Sequence, residues 1–338
     1  MGNKVFALEA FSPCLAATQA SRKDAMFRKL VFLTALSFSL SAHTMDMSIP
    51  PANTAAPADA IQVNDVPRRG ALYRVHHEGK TSYLFGTIHV GKQDFFPLEP
   101  EVTEALAKSS SLVLELDVRA SAPYYRALER HGQYPAGQTI RDHLTPGALA
   151  RLQVALDKVK LPLSSVEHYR PWVVANILVG QEIEKSGFNR GLGVEGYLLT
   201  NASQQKKPLQ ELETADYQLS LFGSLSDAQQ EAYLLENIAD IDSGAALRKS
   251  AGLVEAWGAA DAARIAALTR ELTSGDTVSA RFMDSTLLGK RNPEMAANIE
   301  AIMRKGDAFI GIGLLHLVGD KGVPALLRQH GYQVEKVY

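Results

Sequence analysis

The chain has 338 residues, with 35 lysines and arginines against 37 aspartates and glutamates, and 46% of its residues are hydrophobic. This balance gives no sign of the basic surface that binds nucleic acids, so no nucleic-acid partner is expected. The composition also excludes a collagen, a coiled coil and a wholly disordered chain. The single cysteine, Cys14, excludes an internal disulfide framework and every zinc cluster built on cysteine.

The N-terminal segment has the pattern of a secretory signal peptide. Basic residues at 28–29 precede an apolar run at 30–40, and small residues follow up to Ala42. The run is too short to span a bilayer comfortably, which favours a cleaved signal over a membrane anchor. We therefore assign residues 1–42 to a signal peptide with an upstream extension, Met26 being an alternative start, and predict export to the periplasm or the medium. Membrane contact is expected only if this segment stays uncleaved.

Residues 43–66 are rich in proline, alanine, asparagine and aspartate, and this composition predicts a flexible leader. Residues 67–338 are predicted to form the folded domain. It opens with a hairpin whose strands flank a Glu-Gly-Lys turn, followed by a helix and a short buried strand. The predicted ranges are 71–77 and 81–85 for the hairpin, 99–108 for the helix and 111–117 for the strand.

The middle of the chain is mainly helical by its periodicity. Thr145 before Pro146 is typical of a helix N-terminus, and Ser164 with Glu167 resembles a capping box. Further helices are predicted at 171–185, 194–204, 215–222, 226–237, 245–257, 260–271, 278–288 and 294–305, with one strand at 208–211.

The C-terminal end returns to alternating strands and helices, with strands at 307–312 and 332–337 around a helix at 322–329. Strands at both ends of the domain with helices between them predict an α/β fold. Its central mixed sheet is built from the two chain ends and carries a large helical insertion in the middle.

Two motifs near opposite ends of the domain share one pattern. Gly86 to His89 and Gly313 to His316 both place Gly-x-x-His after an apolar strand. A glycine there lets the backbone turn sharply or approach a ligand closely. Because ligand sites of open α/β sheets collect at the carboxyl ends of strands, we expect both histidines at one edge of the sheet. The alternative is that each histidine is a hydrogen-bonded structural residue.

A carboxylate would complete a metal site with these histidines. Two histidines and one carboxylate leave coordination positions open for water and substrate. Glu115 is the best candidate, because it lies in an apolar strand where an unpartnered charge would be costly, although it could instead pair with an arginine. Nitrogen and oxygen donors favour a divalent metal such as Mn, Co, Zn or Fe over metals that prefer sulfur.

Six segments carry a resemblance to a known family: LFGTIHVG (84–91), LVLELD (112–117), GVEGYLL (193–199), PLQELET (208–214), RNPEMA (291–296) and the tail at 313–337. From about residue 70 onward the sequence resembles the TraB/PrgY/GumN family. That family includes the Tiki metalloproteases and is related to erythromycin esterase and ChaN-like proteins. The resemblance implies an α/β core with paired Gly-x-x-His motifs and a glutamate in a metal-dependent hydrolase site.

The resemblance also implies roles for single residues. His89, His316 and Glu115 are the expected metal ligands, and Glu115 is also a catalytic candidate. Arg291 and Asn292 match the family's Arg-Asn pair, which is expected to stabilise an oxyanion or bind substrate. The family often has aspartate where this chain has Glu195, which makes Glu195 a lesser catalytic candidate that could act as general base.

The predicted function is therefore that of a metal-dependent hydrolase of the bacterial envelope. Its substrate would be a peptide or a small molecule with an amide bond. The alternative is a non-catalytic envelope protein that binds a peptide or haem through the same histidines. Residues 191–196 satisfy the dinucleotide pattern GxGxxG, but no apolar strand precedes them. We interpret these glycines as a turn that opens a helix.

Overall fold

A computed structural model describes residues 66–338. The predicted signal peptide at 1–42 and the leader up to residue 65 lie outside these residues. In the described part of the chain, no helix is long and apolar enough to cross a membrane.

A six-stranded mixed sheet lies at the centre of the fold, with the strand order β4-β3-β5-β2-β1-β6. The neighbouring strands β4, β3, β5 and β2 run parallel, whereas β1 is antiparallel to both β2 and β6. The strands are β1 (Leu72–His77), β2 (Lys80–Thr87), β3 (Leu112–Leu114), β4 (Leu209–Glu211), β5 (Phe309–Gly313) and β6 (Gln333–Lys336).

The strands of the sheet differ in burial, and their sequences differ accordingly. Every residue of β3 and the first four of β5 are buried, and both strands are continuous apolar runs, as expected for parallel strands covered on both faces. In β1 only every third residue is buried, and in β6 only Val334 is buried, so these two strands tolerate polar side chains.

Helices cover the sheet and form the insertion. They are α1 (Pro100–Lys108), α2 (Ser121–Gly132), α3 (Pro146–Lys158), α4 (Pro171–Lys185), α5 (Val194–Gln204), α6 (Ala215–Gly223), α7 (Asp227–Asp242), α8 (Ala245–Gly258), α9 (Ala262–Thr273), α10 (Val278–Arg281), α11 (Arg291–Lys305) and α12 (Val323–Gln329). Side-chain caps fix several of their starts. The predicted cap Thr145 accepts a hydrogen bond from Ala148 N, and Ser226 forms a capping box with Gln229.

The described chain has two apolar cores. One surrounds the sheet and includes Phe85, Phe309 and Trp257. The other lies within the helical insertion, where Trp172 stacks on Phe222 with ring centroids 4.9 Å apart. The α/β prediction is confirmed, with β1, β2, β5 and β6 coming from the two chain ends.

Four local predictions need correction. The strand predicted at 111–117 covers only Leu112–Leu114, so Glu115 lies just after the strand and not within it. No capping box forms at Ser164, because 163–165 is a single 3-10 turn and Glu167 bonds to Arg141 instead. Helix α2 was not predicted, since its buried face has only small or amphipathic side chains besides Leu128. The helix predicted at 278–288 is α-helical only to Arg281 and continues as a π-helix (Phe282–Leu288).

Candidate active site

The four parallel strands end at the same edge of the sheet, and each delivers a titratable side chain there. Thr87 of β2 lies opposite Gly313 of β5, so His89 and His316 follow neighbouring strands at almost the same height. Glu115 follows directly after β3, and Glu213 comes two residues after β4. Residues far apart in the sequence therefore meet at the position where open α/β sheets bind ligands.

The distances around Gly313 show how closely Glu115, His316 and His89 approach one another. A Cβ atom placed on this glycine would lie 3.1 Å from Glu115 Oε1, 3.5 Å from His316 Cδ2 and 3.8 Å from His89 Nε2. The glycine thus occupies the centre of the cluster, and its missing side chain leaves room for the other three.

Glu115 lies at the centre of a buried network of charges. Its Oε1 accepts a hydrogen bond from Gly313 N at 2.7 Å, and its Oε2 is 2.6 Å from Arg291 Nη2. The guanidinium also binds Glu213, with Nε at 3.0 Å from Oε1 and Nη2 at 2.7 Å from Oε2. Gln218 donates to both carboxylates, at 3.3 Å to Glu115 and 2.6 Å to Glu213.

This network determines the charge of its carboxylates. Burial alone would raise the pKa of Glu115, but Arg291, the two histidines and the Gly313 N–H lower it to about 2. For Glu213 burial dominates and raises the pKa above its usual range. Glu115 is therefore anionic at every physiological pH, and Arg291 compensates its charge in the protein interior.

His89 is paired with a buried carboxylate. Its Nδ1 lies 2.8 Å from Oε1 of Glu195. Burial disfavours the charged imidazole, but Glu195 and Glu115 outweigh it and raise the pKa of His89 to about 9. Burial likewise opposes ionisation of Glu195, yet His89 and a hydrogen bond from Thr87 hold its pKa below the usual range. The pair is ionic at neutral pH.

The backbone explains how Glu195 reaches this position. Val194 N bonds to Ile88 O at 3.0 Å, which attaches the start of α5 to the segment after β2. A Cβ on Gly193 would lie 2.9 Å from His89 O, so this close approach requires glycine. The glycine pattern at 191–196 thus opens a helix, as predicted, and places Glu195 in the first helical turn, where the helix dipole favours an anion.

His316 has a neutral partner instead. Its Nδ1 lies 2.6 Å from Oδ1 of Asn292, whose Nδ2 donates to Lys321 O at 2.8 Å. Because Nδ2 is used as a donor, Asn292 Oδ1 accepts the Nδ1–H of the imidazole. Burial and the nearby Arg291 guanidinium lower the pKa of His316 to about 3. His316 is therefore neutral, with an unprotonated Nε2 that lies 3.8 Å from Glu115 Oε1.

A cavity of about 110 Å³ lies beside these groups. His89, Glu115, Arg291 and His316 line one side of it, and mainly aliphatic side chains, with Thr87 and Ser250, line the rest. Glu195 and Asn292 are behind the histidines and do not line the cavity. The structure thus brings all six sequence-predicted residues together, with four at the cavity and two in contact with the histidines.

The donor set is compatible with a metal ion. Each histidine has its Nδ1 held by an oxygen, the arrangement that orients metal-binding imidazoles and leaves Nε2 for the metal. Glu115 Oε2 bonds to Arg291, so a metal would use Oε1. Across residues 66–338, no three His, Cys, Asp or Glu side chains are already arranged to hold a metal ion.

Two parts of the site were not predicted. Gln218, which bridges the two carboxylates, carries no sequence signal, because a single glutamine in an amphipathic helix is unremarkable. The aliphatic lining of the cavity was also missed, since its leucines and valines have the spacing of ordinary core residues.

Comparison with known proteins identifies the family of this chain. The profile of the TraB/PrgY/gumN family matches residues 71–336, which contain every residue of the site. The chain belongs to the TraB/PrgY/gumN family. The Escherichia coli (strain K12) protein named "Uncharacterized protein YbaP" is 26% identical over 246 residues, which cover 73% of this chain and 87% of that protein. No solved structure shows significant similarity.

Other relatives in the comparison are named metalloproteases. "Metalloprotease TIKI1" of Danio rerio is 27% identical over 303 residues, which cover 75% of this chain and 60% of that protein. "Metalloprotease TIKI1" of Homo sapiens is 25% identical, with coverage of 75% and 59%. The matched region thus spans about 60% of the Tiki proteins, and their names suggest a metal and a hydrolytic activity.

Proposed function

We propose that this protein is a metal-dependent hydrolase that cleaves peptide or related amide bonds in the bacterial envelope. The observation that carries the proposal is the meeting of His89, Glu115 and His316 beside one cavity, each delivered by a different parallel strand. The names of the Tiki relatives support the same reaction class.

His89, His316 and Glu115 would hold the metal. Once bound, a divalent cation such as Zn, Mn, Co or Fe supplies a Lewis acid that polarises a carbonyl and acidifies a water molecule. His316 offers a neutral Nε2, whereas His89 must first release the proton on its Nε2. Metal affinity should therefore increase as the pH approaches about 9.

The other residues would position these ligands. Glu195 and Asn292 hold the two imidazole rings by Nδ1, so that each Nε2 is available to the cavity. Arg291 fixes Glu115 and Glu213 and brings a positive charge to the cavity wall, where it can attract a substrate carbonyl oxygen. Since Glu195 does not line the cavity, the geometry favours a positioning role for it over that of general base.

Metal analysis of protein purified without a histidine tag tests the proposal. We expect about one divalent ion per chain, and His89→Ala and His316→Ala should each lose it while circular dichroism shows that the metal-free variants keep the secondary structure of the wild type. His330→Ala is the matched control, because this half-exposed imidazole contacts Glu300 and does not line the cavity. Absence of metal in the wild-type protein, even after incubation with Mn, Co and Zn, would contradict the proposal.

The reaction itself is tested with a diverse peptide library and mass spectrometry. New peptide termini should appear with the metal-loaded protein and disappear in both histidine variants. The haem-binding alternative would show a visible absorption band after haem addition, but a cavity of about 110 Å³ is small for such a ligand. Envelope localisation is tested by cell fractionation followed by N-terminal sequencing, which should find a mature protein that begins near residue 43.

A further inference from the structure

The cavity has two chemically different sides. One side carries the charged and titratable groups described above. The other side is mainly aliphatic and is formed by Leu253 and Val254 of α8 and by Met283, Leu287 and Leu288 of the π-helix. Ser250, on the same face of α8, adds one hydroxyl group. Among the residues that line this cavity, the only titratable side chains are His89, Glu115, Arg291 and His316, and none is an aromatic ring of phenylalanine, tyrosine or tryptophan.

The π-helix is the feature that builds this apolar side. In a regular α-helix, five residues correspond to a rotation of about 140° beyond one full turn, so Leu288 would point away from Met283. The wider i→i+5 turn brings Met283, Leu287 and Leu288 to one wall of the cavity instead. A π-helix within a helical segment is frequently found at functional sites. Here it ends three residues before Arg291, the residue that anchors the carboxylates.

The size and lining of the cavity limit what it can bind. A cavity of about 150 Å³ lined by aliphatic residues binds benzene, so the present volume of about 110 Å³ suits a smaller apolar group. A branched four-carbon side chain fits this limit, whereas an indole or a phenol does not. On the aliphatic side, a charged side chain would lose its hydration against Val254 and Leu287, which offer it no hydrogen bond, at a large cost in free energy.

We infer that this pocket is a specificity pocket for a branched aliphatic side chain, that of leucine, isoleucine or valine, next to the bond that is cleaved. The inference rests on the proposed function, because it takes the charged side of the same cavity as the reaction centre. The apolar side would hold the substrate residue by hydrophobic contact and place the adjoining amide beside His89 and His316.

Binding of small amides to the metal-free protein tests the pocket without requiring turnover. N-acetyl amides of leucine, valine, alanine, aspartate and tryptophan are titrated into methyl-labelled protein. The leucine and valine amides should shift the methyl signals of Met283 and Leu287 in the NMR spectrum and bind about tenfold more tightly than the alanine amide. The aspartate and tryptophan amides should leave these signals unchanged. The signal of Val154, which is exposed on α3, should not move in any titration.

Two substitutions should change the preference in opposite directions. Leu287→Phe fills the pocket and should reduce binding of the leucine amide at least tenfold. Leu288→Ala enlarges the pocket at a partly buried position and should allow a phenylalanine amide to bind. Val154→Phe enlarges a side chain on the surface, as Leu287→Phe does in the pocket; it is the control for that variant and should leave binding unchanged. If Leu287 and Leu288 were purely structural, the two substitutions would lower the stability of the protein but would not change which amide binds best.

Turnover of the peptide library separates this inference from the proposed function. Cleavage next to leucine, isoleucine or valine supports both. Cleavage without such a preference, or with a preference for charged or aromatic residues, overturns the pocket but leaves the hydrolase. Amide binding with the predicted selectivity in the absence of any turnover supports the pocket and contradicts the hydrolase. If no amide shifts the Met283 signal, the inference is wrong.

Discussion

His89 and His316 occupy equivalent positions after neighbouring parallel strands, yet they differ in charge. Each ends a Gly-x-x-His motif, and each has its Nδ1 held by a side-chain oxygen. The oxygen of Glu195 is anionic and raises the pKa of His89 to about 9. The oxygen of Asn292 is neutral, and burial together with Arg291 lowers the pKa of His316 to about 3.

The difference shows that the repeated motif determines where an imidazole lies but not which charge it carries. The charge depends on residues that the motif does not contain: Glu195 from the start of α5 and Arg291 and Asn292 from the start of α11. At neutral pH the site therefore combines a cationic and a neutral imidazole around the anionic Glu115. As a metal ligand, His89 would first have to lose a proton, whereas His316 already offers a neutral Nε2.

Replacing Arg291 should have the largest effect on stability. This arginine lowers the pKa of His316 and is the cation that compensates the buried Glu115 and Glu213. Arg291→Met leaves Glu115 and Glu213 buried without their cation and should lower the free energy of unfolding by about 3–5 kcal/mol. Urea unfolding at pH 7 measures the loss. The matched control Arg119→Met removes a half-exposed arginine from its pair with Asp117 and should cost about 1 kcal/mol or less.

Acid should reduce the effect of this substitution. The native pKa of Glu115, about 2, lies below its usual value, so ionised Glu115 adds stability above pH 4.5 that is lost as the pH falls towards 2. Arg291→Met removes this contribution, so the difference in stability between wild type and variant should shrink as the pH falls from 4.5 towards 2. A difference that does not depend on pH would mean that Arg291 acts through packing alone.

Exchanging the partner types should exchange the behaviour of the two histidines. Glu195→Gln removes the anion beside His89. The pKa of His89 should then fall from about 9 to its ordinary value of 6.5 or lower. Asn292→Asp gives His316 an anionic partner, and its pKa should rise well above 3. Imidazole ¹⁵N shifts followed from pH 4 to pH 10 measure both. If His89 still titrates near 9 in the Glu195→Gln protein, Glu195 is not the source of its charge.

The pH dependence of stability should show the same contrast in the metal-free protein. The raised pKa of His89 adds stability below pH 6.5 that is lost as the pH rises through about 9. The lowered pKa of His316 has the reverse effect, since stability is full above pH 6.5 and is lost as the pH falls towards 3. The free energy of unfolding should therefore fall on both sides of neutral pH. His89→Gln should flatten the alkaline decline and His316→Gln the decline between pH 6.5 and pH 4.

Much of the site could be predicted from the sequence, because strand ends leave a clear pattern. The apolar runs before Gly86 and Gly313 identified two strands, and the rule for parallel sheets placed His89 and His316 at one edge. The partners could not be assigned in the same way. Nothing local in the sequence shows that Glu195 contacts His89 or that Asn292 contacts His316, since only the packed fold brings them within hydrogen-bonding distance.

The π-helix could not be predicted from the sequence either. The apolar periodicity of 278–288 is compatible with an α-helix, and the i→i+5 bonding at Phe282–Leu288 arises where this segment packs around the cavity. Helix α11 begins at Arg291 instead of Glu294, because Arg291 and Asn292 join the first turn when their side chains bind Glu115 and His316.

Gly313→Ala should give the smallest effect and test how tightly the two halves of the site are packed. The new methyl group would lie 3.1 Å from Glu115 Oε1 and 3.5 Å from His316 Cδ2, but 3.8 Å from His89 Nε2. Glu115 must move by a few tenths of an ångström, so we expect a stability loss of about 1 kcal/mol. The ¹⁵N shifts of His316 should change more than those of His89, because the methyl group is closer to His316. The control Gly147→Ala has open space around it in α3 and should be neutral or slightly stabilising. Equal shifts of both histidines would mean that Gly313 transmits the strain through the whole cluster, and the two imidazoles could then not be treated as separate halves.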